Sequence, residues 1–400
     1  MKRALALTRV VVLAWTFATA GCATGSGGGG VESALAPERD YLVFVASEAT
    51  DEIQLLRFGP EGGRVERRHE VGFHPADPDG PHGLAVSPDG GSYYVSTAHG
   101  VPNGYLWKFA SADSRPIGRV ELGLFPASVQ ISPDGFYAYV VNFNLYGDMV
   151  PSSVSIVSTA EMLEVARIRT CTMPHGSRLS PDGSFHYSTC MMDDVLVEMD
   201  ARGFFISRHF MLTPGAEHGM AGAPTVHALS VDPATGHGTT ASAASTGRCS
   251  PTWAAPSPDG RRVYVACNQA NDIVEIDVAG WSIVRRIPAG DGVYNLATTR
   301  NGLTLIATNR RGGAVSFYRT ADGRALATVE TIRPVLHGIA LSDDDKYAFV
   351  SVEGVGAEPG TVEMIDLAGF RRVASVDVGQ MSGGIDFWRS EAATSPPPTP

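Results

Sequence analysis

An all-β chain closed into a seven-bladed β-propeller of four-stranded blades is the fold this sequence predicts. Three observations carry it. First, the turn "SPDG" starts at Ser87, Ser132, Ser180 and Ser257, with degenerate copies "TRNG" at Thr299 and "SDDD" at Ser342. Their spacings are 45, 48, 77, 42 and 43 residues, and one four-stranded blade spans about 40 to 50 residues. Second, each turn lies between two short apolar runs rich in aromatic and β-branched residues, such as "HGLAV" and "YYVST". Third, the first extended segment, "YLVFVAS", matches the second strand of a unit and the last, "GGIDFW", matches the first. The last strand must therefore complete the first blade and close the ring, which removes exposed sheet edges.

The elements follow in order. The first strand of each unit, A, begins near His82, Ala127, His175, Thr252, Tyr294, His337 and Gly383. The second, B, begins near Tyr41, Ser92, Phe136, Phe185, Val263, Leu303 and Tyr347. Proline and glycine between them supply the fixed and the permissive φ of a tight turn. A polar loop, a third strand C such as "DIVEIDV" and a fourth strand D such as "SIVRRIPA" complete the unit. With 45 Gly and 26 Pro in 400 residues, turns are frequent enough for many short strands. At 44% hydrophobic and 18% charged, the chain can also bury a large core.

Outside the ring, residues 1–21 read as a signal peptide. Lys2, Arg3 and Arg9 precede an apolar run, "VVVLAWTFA", too short to span a bilayer. The "TAGC" that follows is similar to a lipoprotein cleavage site, with Thr19 where leucine is usual, and makes Cys22 the expected lipidated residue. Residues 22–39, containing "GSGGGG", are the expected flexible tether, 40–389 the propeller and 390–400 a disordered tail. The expected location is the cell envelope, on a periplasmic or cell-surface face; free secretion is the alternative. Taking the three basic signal residues from 31 Lys and Arg leaves 28 against 42 Asp and Glu, a net charge of −14. Nucleic acid is thereby disfavoured as a partner.

The units resemble the YVTN-type β-propeller repeats of bacterial and archaeal surface and periplasmic proteins, over Tyr41 to Trp388. "ATN" (Ala307–Asn309) and "VVN" (Val140–Asn142) come nearest the signature. The resemblance implies the fold; it does not imply one activity, because enzymes, carriers and adhesive modules share it. Related seven-bladed propellers include sugar lactonases, so lactonase-like chemistry is one expectation.

In such a ring, D-to-A and B-to-C connections share a top face and the "SPDG" turns lie below. "PHGLAVSPDG" and "PHGSRLSPDG" place His82 and His175 at the top of their A strands, and His337 holds the same position. Ala127, Thr252, Tyr294 and Gly383 hold it elsewhere. His99, Asn142, Asn268 and Asn309 are expected nearby, at B-strand ends. The expected ligand-binding set is His82, His99, Asn142, His175, Asn268, Tyr294, Asn309 and His337. The 77-residue spacing leaves a surplus at about 213–248, expected to be folded or functional, with a hairpin around "VDPATG". It carries Glu217, His218, His227 and His237. Imidazoles around one mouth suit a transition metal, copper or zinc, with His82, His175, His337, His218 and His227 as the expected ligands. The other reading is polar lining that bonds neighbouring backbone.

Cys171 and Cys190 flank the fourth A strand as Cys249 and Cys267 flank the fifth. An even count in an oxidising compartment reads as disulfides Cys171–Cys190 and Cys249–Cys267. A thiolate–imidazole site of Cys171, His175 and Cys190 is the competing reading. No GxSxG, Walker A, HExxH or CxxC motif is present. The function expected is thus a membrane-tethered, monomeric propeller binding a small molecule, metal ion or envelope protein at its top face. A metal-dependent oxidase or hydrolase is the alternative.

Overall fold

The computed structural model describes residues 36–73, 79–99, 103–145, 147–225 and 248–393. Cys22, the signal segment, His227, His237 and the expected "VDPATG" hairpin lie outside the described residues. The seven-bladed propeller forms as expected, from six sheets of four strands and one of five. Blade 2 is representative: A is Pro81–Val86, B Ser92–Thr97, C Tyr105–Ala110 and D Pro116–Glu121, paired antiparallel in that order.

Closure occurs where the sequence puts it. Ser382–Ala392 pairs antiparallel with Arg39–Ser47, with Tyr41 opposite Ser390 and Val45 opposite Ile385. This strand runs to Ala392, so Ser390, Glu391 and Ala392 belong to blade 1 rather than to the expected tail. The Arg57 guanidinium explains the extension, donating from Nη1 to Asp40 and Glu391 at 2.7 Å each. The seam is also packed. Tyr41 and Phe58 of blade 1 meet Tyr347 of blade 7 edge to face, both with centroids 5.1 Å away. The Tyr41 hydroxyl donates to Asp344 Oδ2 at 2.8 Å across the same seam. One apolar layer of this kind separates each neighbouring pair of blades.

The "SPDG" turns are architectural. In the first, Ser87 Oγ accepts from the Ser92 amide and Asp89 accepts from the Gly91 amide. The glycines sit at φ 68 to 77° in Gly90, Gly135, Gly183 and Gly260. In "SDDD" the same place falls to Asp345 at φ 56°, a conformation aspartate tolerates through local hydrogen bonding. Asp345 accepts from the Arg300 and Asn301 amides of the neighbouring "TRNG" turn at 2.9 Å, which accounts for the exchange.

Part of the insertion is folded: His218–Ala221 adds a fifth strand outside Phe205–Met211 of blade 4. Both disulfides form as expected, Cys171–Cys190 and Cys249–Cys267. Cys171 ends the D strand of blade 3 and Cys190 the B strand of blade 4, so the first links neighbouring blades. These bonds consume the thiols, which removes the Cys171–His175–Cys190 metal reading.

Candidate functional site

The repeated "HG" has a packing origin in its second residue. A Cβ on Gly83 would stand 1.8 Å from the Ala127 carbonyl oxygen of the next blade, and one on Gly176 would stand 2.3 Å from that of Thr252. The A strands converge so closely on the axis that the backbone itself fills the space. The preceding residue is left to point into the mouth, and there the side chains meet.

His82 and His337 are edge to face with centroids 5.2 Å apart, and Tyr294 lies 5.2 Å from His337 and 5.4 Å from His175. His175, Tyr294 and His337 form a short polar row. His175 Nδ1 donates to the Thr252 carbonyl at 3.0 Å, so its Nε2 accepts from the Tyr294 hydroxyl, also at 3.0 Å. His337 Nε2 approaches the same hydroxyl at 3.5 Å. Burial pulls His175 down to about 3 and His337 well below the usual range, and pushes the Tyr294 phenol upward. All three are neutral at physiological pH. They form a fixed floor rather than a set of poised nucleophiles.

On the opposite side of the mouth, the Glu48 carboxylate bridges His82 Nδ1, at 2.6 Å, and His99 Nε2. Burial alone would raise Glu48, but the two imidazoles hold it well below the usual carboxylate range. The hydrogen bond to Glu48 in turn raises His99. Glu48 follows the B strand of blade 1, the position that Glu353 takes at the end of the blade 7 B strand. Glu353 holds Arg310 by both oxygens, at 2.8 and 2.9 Å, and the guanidinium lies 5.0 Å above the Tyr294 ring.

Tyr294 alone of the His175–Tyr294–His337 row also lines a cavity of about 580 Å³, together with Met191, Asn268, Arg310, Pro334 and Val335. Its charges are internally matched. Arg310 is paired with Glu353, and Arg311 at the rim donates to Asp291 and to oxygens of Asn268 and Asn271.

Of the expected residues, His82, His99, His175, Tyr294 and His337 come together, with Asn268 at the rim. Asn142 and Asn309 do not reach the mouth. Each turns into its own blade: Asn142 donates to Ser153 and Ser155, and Asn309 to Ser316. His218 is on the outermost strand of blade 4, bonded to the Ala216 carbonyl, because the insertion begins by widening that blade. Glu217 likewise pairs outward with Arg286. His218 thus stands apart from His82, His175 and His337, and among the described residues no group of three or more His, Cys, Asp or Glu side chains is arranged to hold a metal ion. Glu48 and Arg310 were missed, although each directly follows the B-strand signature.

No family model and no curated protein matches the chain. Solved structures do. A functionally unknown protein from Desulfotomaculum acetoxidans aligns at 14% identity and TM-score 0.61, covering 87% of this chain and 98% of that one. A candidate 6-phosphogluconolactonase from Bacteroides uniformis aligns at 14% identity and TM-score 0.63, covering 87% and 99%. Hydrazine synthase of Kuenenia stuttgartiensis aligns at 19% identity and TM-score 0.55, covering 72% and 77%. The fold is that of these propellers. At such identities the likeness extends no further.

Proposed function

We propose that this protein is an extracytoplasmic β-propeller of the YVTN-repeat type, tethered through Cys22, that binds a small, uncharged, hydrogen-bonding molecule in the top-face cavity. The carrying observation is the charge-matched cavity lined by Asn268, Tyr294 and Arg310. A volume of about 580 Å³ falls within the usual range of ligand pockets. An ionic ligand would leave its charge unmatched there, since Arg310 and Arg311 already have partners. The face of Tyr294 and the side chains of Met191, Pro334 and Val335 offer apolar contact, and the rim offers amide groups for orientation. Two disulfides fit an oxidising compartment.

A thermal-shift screen of neutral and charged small molecules on the mature chain tests this reading. Neutral compounds should raise the melting temperature of the wild type, and Asn268→Ala or Tyr294→Ala should abolish the shift. Stabilisation confined to charged compounds, or unaffected by both substitutions, would refute it.

A further inference from the structure

A second cavity occupies the axis below the floor. It measures about 590 Å³, shares no lining residue with the upper one, and reaches Pro181, Pro258 and Arg300 of the bottom turns. His82, His175 and His337 form its ceiling. Three charged groups line it: Arg178, Arg300 and Asp386. Arg178 comes from the A strand of blade 4, with its guanidinium 5.1 Å over the Trp253 ring. Its one hydrogen bond among the described residues runs from Nη1 to the Ser177 carbonyl, at 3.0 Å; Asp386 acts on its charge without forming a salt bridge. Asp386, from the closing strand, accepts from the Val86 and Phe387 amides at 2.8 and 2.9 Å.

The balance is one positive charge, inside a chain that is acidic overall. Burial lowers Arg178 to about 10, which still leaves it protonated at neutral pH, and raises Asp386. A guanidinium held in a cavity without a salt-bridge partner is costly, and that is the feature that points to an anionic occupant. A guanidinium fork beside a flat indole suits a planar carboxylate, and Asp386 adds an acceptor for a hydroxyl.

We propose that this lower channel binds a small monoanionic hydroxycarboxylic acid, entering from the face of the "SPDG" turns, with its carboxylate on Arg178 and its hydroxyl toward Asp386. The site is separate from the upper cavity, both in lining and in the charge it prefers.

The test is calorimetric titration of the mature chain with lactate and mandelate, alongside lactamide and mandelamide, which keep the shape and lose the charge. At least one acid should bind at least tenfold more tightly than its amide. Arg178→Gln should weaken that acid at least tenfold, with partial recovery in Arg178→Lys, while Asn268→Ala in the upper cavity leaves it unchanged. Retained far-ultraviolet circular dichroism confirms that each variant is folded. Equal affinity for acid and amide, binding of neither acid, binding of inorganic phosphate as tight as that of the acids, or indifference to both Arg178 variants would each overturn the assignment.

Discussion

Replacing Glu48 by glutamine is the sharpest perturbation of the mouth. The side chain is 8% exposed and serves two imidazoles at once. Glutamine keeps the shape and one acceptor oxygen, but loses the charge and the second acceptor. Hydrogen bonds to charged groups contribute about 1.5–3 kcal/mol each, so losing one of them should cost about 2–3 kcal/mol. The cost depends on pH in a definite direction. His99 is raised in the folded state, so its contribution is complete below about pH 6.5 and fades as pH rises through the folded value. Glu48 is lowered, so its contribution is present above about pH 4.5 and is lost only as pH falls toward its folded value. The penalty of Glu48→Gln should therefore be largest near pH 5.5 and smaller at pH 9. Urea denaturation followed by tryptophan fluorescence at the two pH values measures it, and NMR should show His99 titrating at lower pH in the variant. An equal penalty at both pH values, or an unmoved His99, would refute the bridged-carboxylate account.

Three further outcomes are expected. His186 is buried with neither ring nitrogen bonded, and burial lowers it to about 3. The unfolded chain then binds the extra proton as pH falls below about 6.5, so His186→Phe should stabilise the fold by about 3 kcal/mol more at pH 4.5 than at pH 8, as chemical denaturation will show. Cys249 and Cys267 are 18 residues apart, so the double serine variant should lose about 3 kcal/mol on chain-entropy grounds, read from the shift in urea midpoint. Ending the chain at Met381 removes the strand that closes blade 1 and exposes Tyr41–Ser47 as an edge; size-exclusion chromatography should find aggregate in place of monomer.

The ring itself was legible because its signals are local and repeated. The turn motif, the paired apolar runs and the mismatch between first and last strand all read in one dimension, and the A-strand histidines came with them. The cysteine pairs were legible for the same reason, since each repeats one relation to a B strand. Side-chain direction at strand ends was not. Asn142 and Asn309 end their B strands, yet the pleat turns them into the blade, where serine hydroxyls receive them. Partnerships between blades were equally hidden: nothing in the chain pairs Glu48 with His82 and His99, 34 and 51 residues away, until the ring closes. The lower cavity was hidden because Arg178 comes from mid-chain and Asp386 from the closing strand, far apart in sequence. The insertion misled by its histidines, whereas its first segment simply adds a strand to the outside of blade 4.

The central claim is that an uncharged molecule rests against Tyr294 in the upper cavity, and a crystal soaked with the best neutral compound from the screen examines it directly. Density over the Tyr294 ring, among blades 5, 6 and 7 and within hydrogen-bond distance of Asn268, is the predicted result. Density for that compound only at other sites, with the upper cavity holding solvent alone, would contradict it.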